Sequence, residues 1–169
     1  GYLSESPGVK QYIQQFDLAY TFLDSSLSNT HYSLPFLPWM INANHGPSIF
    51  QPNERDVNYL RALKTVPKSR EISIFCSSQD STPDHRMRLR FAAALQTHFG
   101  RHLDWFGNGF KSIPQKWDGL APYKYTIALE NQSSMHVITE KIQDAFLALC
   151  YPIYWGASDA REYFHSDSF

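Results

Sequence analysis

Two short runs hold the side chains best suited to chemistry: Glu130-Asn131, and Thr139-Glu140-Lys141 a short polar loop later. The first closes an apolar stretch, Tyr125-Thr126-Ile127-Ala128-Leu129, and the second opens a stretch with apolar residues at helical spacing. A strand that ends in an acid and an amide, followed by a loop and a helix start, brings unpaired backbone N–H groups and the positive end of the helix dipole into one cleft. Lys141 adds a full charge there. The pattern suits phosphate. An earlier loop supplies Ser77 and Ser78, and Arg88 lies in the second turn of the helix that this loop leads into. A guanidinium and an ammonium meeting on a diphosphate would stabilise a leaving group with no divalent metal required. Taken singly, each of these charges has an ordinary reading as a solvated surface group. Together, the residues support an α/β domain with an anion site fitted to a nucleotide.

The elements that must position them alternate through the second half of the chain. Residues 71–76 read as a short strand feeding a polar loop, and Thr82-Pro83-Asp84 starts a helix with a hydroxyl cap, a first-turn proline and an acid near the positive dipole end. Met87, Phe91, Leu95 and Phe99 recur every fourth residue and predict that helix's buried stripe, with Arg88 off it. Residues 103–106 read as the next strand, stopped by Gly107-Asn108-Gly109, and a short helical piece surrounds Trp117 and Leu120. Residues 125–129 form another strand. The clearest helix covers 138–149, with Ile138, Ile142, Ala145, Phe146 and Leu149 on one face. Residues 151–155 form a strand, and a last short helix runs through Glu162-Tyr163-Phe164. This alternation predicts a parallel sheet with helices on both faces, and ligands beyond the carboxyl ends of its strands. The loops 77–84, 107–110, 130–136 and 156–159 lie at those ends. The first seventy or so residues differ: a strand over 16–22, then many prolines with one helix near 57–63, a stretch that reads as a surface crossing or interdomain connection.

Composition bounds the rest. Hydrophobic residues make up 43% and charged residues 18%, so the chain can bury a core. A net charge of −1, with Lys and Arg spread along the chain, speaks against nucleic acid as a partner. No apolar run approaches a membrane span, and the start Gly1-Tyr2-Leu3-Ser4 lacks the pattern of a signal peptide, so a soluble chain with no targeting segment is expected. Cys76 and Cys150 are far apart and each closes an apolar stretch, which predicts free buried thiols. His98 and His102 stand at i, i+4, but Gly100 between them ends the helix, so no metal site is expected.

The run 123–157, YKYTIALENQSSMHVITEKIQDAFLALCYPIYWGA, resembles the signature of the α1,3/α1,4-fucosyltransferases, glycosyltransferase family 10. That family carries a strand ending in Glu-Asn, a short loop, Thr-Glu-Lys, a helix with Ala-Phe, and a strand with Pro-Ile or Pro-Val before Tyr-Trp-Gly. The segments around Ser77, Ser78 and Arg88, the turn Phe106-Gly107-Asn108-Gly109, the ending Glu162-Tyr163-Phe164 and, more weakly, Glu5-Ser6-Pro7 are similar too. The resemblance implies a Rossmann-like donor half of a two-domain GT-B glycosyltransferase over 66–169, preceded over 1–65 by the tail of the acceptor-side domain and a linker. It implies inverting transfer of fucose from GDP-fucose to a hydroxyl of a GlcNAc-type acceptor oligosaccharide, with no cofactor. Arg88 and Lys141 would bind the diphosphate, and Asn131 the nucleotide end. Ser77, Ser78, Gly107 and Thr139 would line the nucleotide-sugar site. Glu140 would meet the fucose ring, and Glu5 would be the general base; the ordinary reading of Glu5 is an exposed acid in a flexible tail. Where the family has Tyr four residues before the motif lysine, this chain has Val137, after His136. The implied location is cytoplasmic or membrane-peripheral in a bacterium and the Golgi lumen in a eukaryote, with membrane contact only through segments outside this chain. A second reading is a truncated nucleotide-sugar-binding module without catalysis.

Overall fold

The computed structural model describes residues 7–21, 27–32, 40–41 and 55–169. In chain order the elements are α1 (Pro7–Ile13), β1 (Ala19–Thr21), β2 (Thr30–Tyr32), α2 (Val57–Ala62), β3 (Arg70–Phe75), α3 (Pro83–Phe99), β4 (Leu103–Phe106), β5 (Tyr123–Leu129), α4 (Glu140–Leu147) and β6 (Tyr151–Trp155), with short 3-10 turns at Lys116–Gly119 and Ala160–Glu162. The strand expected over 16–22 is met at Ala19–Thr21, which pairs in parallel with β2. Residues 138–149 narrow to the helix Glu140–Leu147, because Leu149 turns to a positive φ of 50° and ends it.

The main sheet has the order β4-β3-β5-β6, and all its pairings are parallel. From β3 the chain steps through α3 to β4 on one side; it then returns past β3 to β5 and steps through α4 to β6 on the other. Right-handed crossovers taken in opposite directions place α3 and α4 on opposite faces. Side-chain alternation in β3 agrees. Ile72, Ile74 and Cys76 pack with Leu89, Ala92 and Leu95 of α3, whereas Phe75 packs with Trp117 and Leu120. The reversal of direction falls between β3 and β5, and that is where an open sheet leaves a crevice at its carboxyl edge.

Helix α3 starts as its sequence predicts: the Thr82 hydroxyl accepts from the His85 amide at 3.1 Å, Pro83 follows and Asp84 sits in the first turn. Its buried face differs from the predicted stripe. His85, Arg88 and Ala92 are buried, while Met87 and Phe91 are exposed, Phe91 by 49%. Four residues advance about 400° round a helix, so an every-fourth-residue row drifts by about 40° per step. Leu95 and Phe99 therefore reach the core while the start of the same row does not. Arg88, expected off the buried stripe, lies on the sheet-facing side.

Helix α4 meets its expectation better. Ile142 and Ala145 are fully buried, and Ile138 with Phe146 packs against Ala157, Ala160, Tyr163 and Phe164. Coverage of β6 is one-sided. Pro152 is buried and Tyr154 half-buried, but Tyr151, Ile153 and Trp155 on the opposite face are exposed. No helix among the described residues is long and apolar enough to cross a membrane.

The corrected α3 face has a direct test in urea denaturation. Ile142→Ala should lower unfolding free energy by about 2–5 kcal/mol. Phe91→Ala, at the exposed start of the row, should stay within about 0.5 kcal/mol. A loss at Phe91 as large as that at Ile142 would restore the original stripe.

Candidate functional site

Strand β5 runs into the crevice with Thr126, Ile127, Ala128 and Leu129 all buried, and delivers Glu130 at its carboxyl end with its side chain only 1% exposed. A carboxylate that deep is tolerable only if its oxygens are hydrogen-bonded. The Thr139 amide donates to Oε1 at 2.8 Å; the Thr139 hydroxyl donates to Oε2 at 2.6 Å. Lys141 Nζ reaches the same Oε2 at 3.2 Å. Thr139 occupies the N-cap of α4, yet its hydroxyl makes no capping bond to the backbone of that helix. Glu130 holds it instead, so the strand end and the helix start are fastened together. Gly156, where β6 leaves the sheet, is required by the same packing: a Cβ there would stand 2.3 Å from Glu130 Cγ.

The Lys141 ammonium has three partners: it donates to Thr139 Oγ1 at 2.9 Å and to Glu130 Oε2 at 3.2 Å, and it pairs with the Glu140 carboxylate, whose Oε1 is 3.4 Å away. Glu140 Oε1 also lies 3.5 Å from Lys116 Nζ, and that ammonium sits 2.7 Å from Asp144 Oδ2. The other Asp144 oxygen accepts from the Met40 amide at 2.7 Å. Burial pushes the Glu140 carboxyl up, but the Lys116 and Lys141 ammoniums, with Thr139, outweigh it and hold it below the usual carboxylate range. For the wholly buried Asp144, burial prevails over the pull of Lys116 and the carboxyl is raised. A cavity of about 10 Å³, lined in part by Lys116, Lys141, Thr126 and Phe75, lies beside this network. That is about the space of one water molecule.

Arg88 comes to the crevice from the α3 side, 4% exposed, and its Nη1 donates to Asn131 Oδ1. Its Nε is buried and has no hydrogen-bond partner among the described residues. Cys76, just past β3, lies within the electrostatic reach of both cations: burial raises its thiol, and Arg88 and Lys141 pull it back. The predicted pair of cations, on α3 and α4, thus meets at one edge of the sheet, together with Asn131 and Glu140. Ser77 is half-buried and Ser78 exposed on the loop that follows. Ser78 donates its amide to the Asn108 carbonyl at 2.8 Å, bringing the 107–109 turn alongside. Gly107, at φ 143°, is obligatory in that turn, since a Cβ would lie 2.6 Å from the Cys76 carbonyl oxygen.

A further clasp closes the loop between Glu130 and α4. His136, at φ 63°, donates its amide to both oxygens of Asp159 at 2.9 and 3.1 Å, and its ring Nδ1 contacts the same carboxylate and the Tyr163 hydroxyl. Val137 beside it is half-buried. Glu5 lies outside the described residues. Lys116, Asp144 and Asp159 were not singled out by sequence reasoning. Their immediate sequence carries no signal, since each has a polar neighbour: Gln115, Gln143 and Ser158. Among the described residues no group of three or more His, Cys, Asp or Glu could hold a metal ion.

Comparison with known proteins bears on this arrangement. Residues 66–169 match the sequence model described as glycosyltransferase family 10 (fucosyltransferase) C-term. The Alpha-(1,3)-fucosyltransferase FucT of Helicobacter pylori is 34% identical over 100 residues, which cover 56% of this chain and 20% of that protein. A crystal structure of an α1,3-fucosyltransferase with GDP superposes with a TM-score of 0.57 at 22% identity, over 94% of this chain and 52% of that one. Another, with GDP-fucose, gives 0.56 at 21% identity, over 91% and 52%. At such identities the two structures speak for the fold, a Rossmann-like parallel sheet of GT-B type. The chain spans a fifth of the curated relative and about half of the solved ones. With the family model matching well over half of its length, and with the Glu-Asn strand end joined to the Thr-Glu-Lys helix start, the chain belongs to the fucosyltransferases of glycosyltransferase family 10.

Proposed function

We propose that this chain binds GDP-fucose across the β3/β5 crevice and serves inverting transfer of fucose to a hydroxyl of a GlcNAc-type acceptor oligosaccharide. The observation that carries this reading is Arg88. A guanidinium buried to 4% exposure, with an unpartnered Nε at the carboxyl edge of a parallel sheet, has a donor in place for an anion. Relatives solved with GDP and GDP-fucose support the choice of nucleotide. In this assignment Arg88 and Lys141 take the diphosphate, Asn131 holds the nucleotide end, and Ser77, Ser78, Gly107 and Thr139 shape the surrounding surface. Residues 66–169 form the donor domain, and 1–65 are the tail of the acceptor-side domain with a linker.

The chemistry follows from charge placement. Glu5 removes the proton from the acceptor hydroxyl. The acceptor oxygen then bonds to the anomeric carbon from the side opposite GDP, and the bond to the diphosphate oxygen breaks. Negative charge growing on GDP meets Arg88 and Lys141, while the Glu140 carboxylate faces the oxocarbenium-like ring. Lys141 must exchange one of its three present partners for phosphate, whereas Arg88 already has a donor to offer. No cofactor is needed for these steps. A second reading, a nucleotide-sugar-binding module without turnover, draws on Val137 in the place of the family's Tyr.

Calorimetric titration of GDP, beside thermal melts, tests the assignment. Losing a charge-assisted phosphate contact of about 1.5–3 kcal/mol should weaken GDP roughly ten- to a hundredfold in Arg88→Ala and Lys141→Ala. Arg88→Ala should show the larger loss. Unchanged affinity in both variants would remove the diphosphate from this edge. Val137→Tyr should leave GDP affinity equal or better, and a marked loss would show that the smaller side chain is required. Incubation with GDP-fucose and a lactosamine acceptor separates the two readings: turnover supports the transferase, and binding without turnover the module.

A further inference from the structure

Lys116 is the residue the reaction scheme leaves unused, although it stands inside the charge network of the site. Its side chain is 8% exposed, in the 3-10 turn Lys116–Gly119 that leads into β5. Burying an ammonium is costly unless it is paired, and Asp144 at 2.7 Å supplies that pair. A purely structural bridge would need nothing more. Yet Asp144 and Glu140 lie one turn apart on the same face of α4, and Lys116 Nζ also reaches Glu140 Oε1 at 3.5 Å. Lys141 approaches the same oxygen at 3.4 Å from the other direction. Glu140 Oε1 is therefore held between two ammoniums. One of them is offered to phosphate in the assignment above. The other is anchored by Asp144 and lies 5.7 Å from the centre of the Phe75 ring. When Lys141 turns toward phosphate, Lys116 is the cation left to keep Glu140 in place.

We propose that Lys116 is a positioning residue for Glu140, fixing its orientation and keeping it anionic while the donor's diphosphate engages Lys141. This rests on the reading of Glu140 as the group that meets the fucose ring. The consequence is a division between ligands: a fault at Lys116 should be felt by the sugar and not by the nucleotide.

Titration of GDP and of GDP-fucose into the full chain reads that division. Lys116→Met should weaken GDP-fucose by about tenfold, as loss of a residue that orients a ligand group does, while GDP changes by about twofold or less. Lys116→Arg should restore most of the GDP-fucose affinity. The acid limb of GDP-fucose binding should also move to higher pH in Lys116→Met. Of the groups facing Glu140, namely Lys116, Lys141, Thr139 and Asp144, the variant removes a cation that favours its ionised form. Should Lys116→Met fail to fold, Lys116→Met/Asp144→Asn removes the stranded carboxylate and keeps an oxygen for the Met40 amide, and it is held to the same readings. An unchanged ratio of GDP-fucose to GDP affinity would overturn the proposal while leaving the donor site standing. So would parallel losses for both ligands that track a falling melting temperature. A Glu140→Gln variant that keeps the wild-type ratio would show that no effect of Lys116 passes through Glu140. Wild-type chain that binds neither ligand would overturn the donor-site reading and this inference together.

Discussion

The Glu130 carboxylate is the constraint on which the rest of the site depends. It is a full negative charge with almost no access to water, and the groups that stabilise it come from the start of α4. Satisfying that charge fixes how the loop after β5 must close and where α4 begins. It places Lys141, one residue into the helix, at the sheet's edge. It also forbids a side chain at position 156, so the exit of β6 is shaped by the same carboxylate. An alanine at 130 would take away the carboxylate to which the Thr139 amide donates and one of the three partners of the Lys141 ammonium, in a place where water is scarce.

The network around that carboxylate is balanced. Glu130, Glu140 and Asp144 are set against Lys116, Lys141 and Arg88, so the crevice holds three charges of each sign. In such a region attraction between neighbours is strong, and so is the cost of a charge without one. In the proposed assignment, a diphosphate would bring further negative charge to a site already neutral. Its stabilisation would then come from donors not yet committed, so Arg88 Nε, which has no hydrogen-bond partner among the described residues, would matter more than a count of cations. Lys141 would contribute by exchange, and exchange works only if the carboxylates it leaves keep other partners. Thr139 remains for Glu130, and Lys116 for Glu140.

Much of this was legible in the sequence because it obeys local rules. The parallel sheet follows from strand–helix alternation, the start of α3 from Thr82-Pro83-Asp84, and the joined strand end and helix start from the spacing of Glu130-Asn131 and Thr139-Glu140-Lys141. What was not legible depends on contacts across long sequence distances. Arg88 was placed off the buried stripe because the apolar residues Met87 and Phe91 drew the line, and a guanidinium does not announce burial. The core-facing row is set by Ala92, whose small side chain lets the helix approach the sheet. Lys116 in a short turn and Asp144 in an amphipathic helix each look solvated when read alone, and only the fold reveals that they are one pair. The His136–Asp159 clasp joins two loops whose separation hides it.

The same contacts bear on where the proposed donor domain begins. The family match starts at residue 66, but packing does not respect that boundary. Leu60 and Leu63 lie against the cluster of Trp117, Leu120 and Tyr123, and Ile41 is buried within it. The Ile41 carbonyl accepts from the Trp117 amide at 3.0 Å, and the Met40 amide donates to Asp144. Arg55 stacks 4.6 Å over the Trp117 ring. Residues 40–41 and 55–63 thus complete the face of the sheet opposite α3, and two backbone groups there are bonded to the residues flanking Lys116 and Glu140. Removing them would strip a hydrogen bond from a buried carboxylate that already resists ionisation. The Lys116–Asp144 pair, and with it the proposed positioning of Glu140, therefore depends on residues well before β3. The sequence boundary of the family and the physical boundary of the site are different lines.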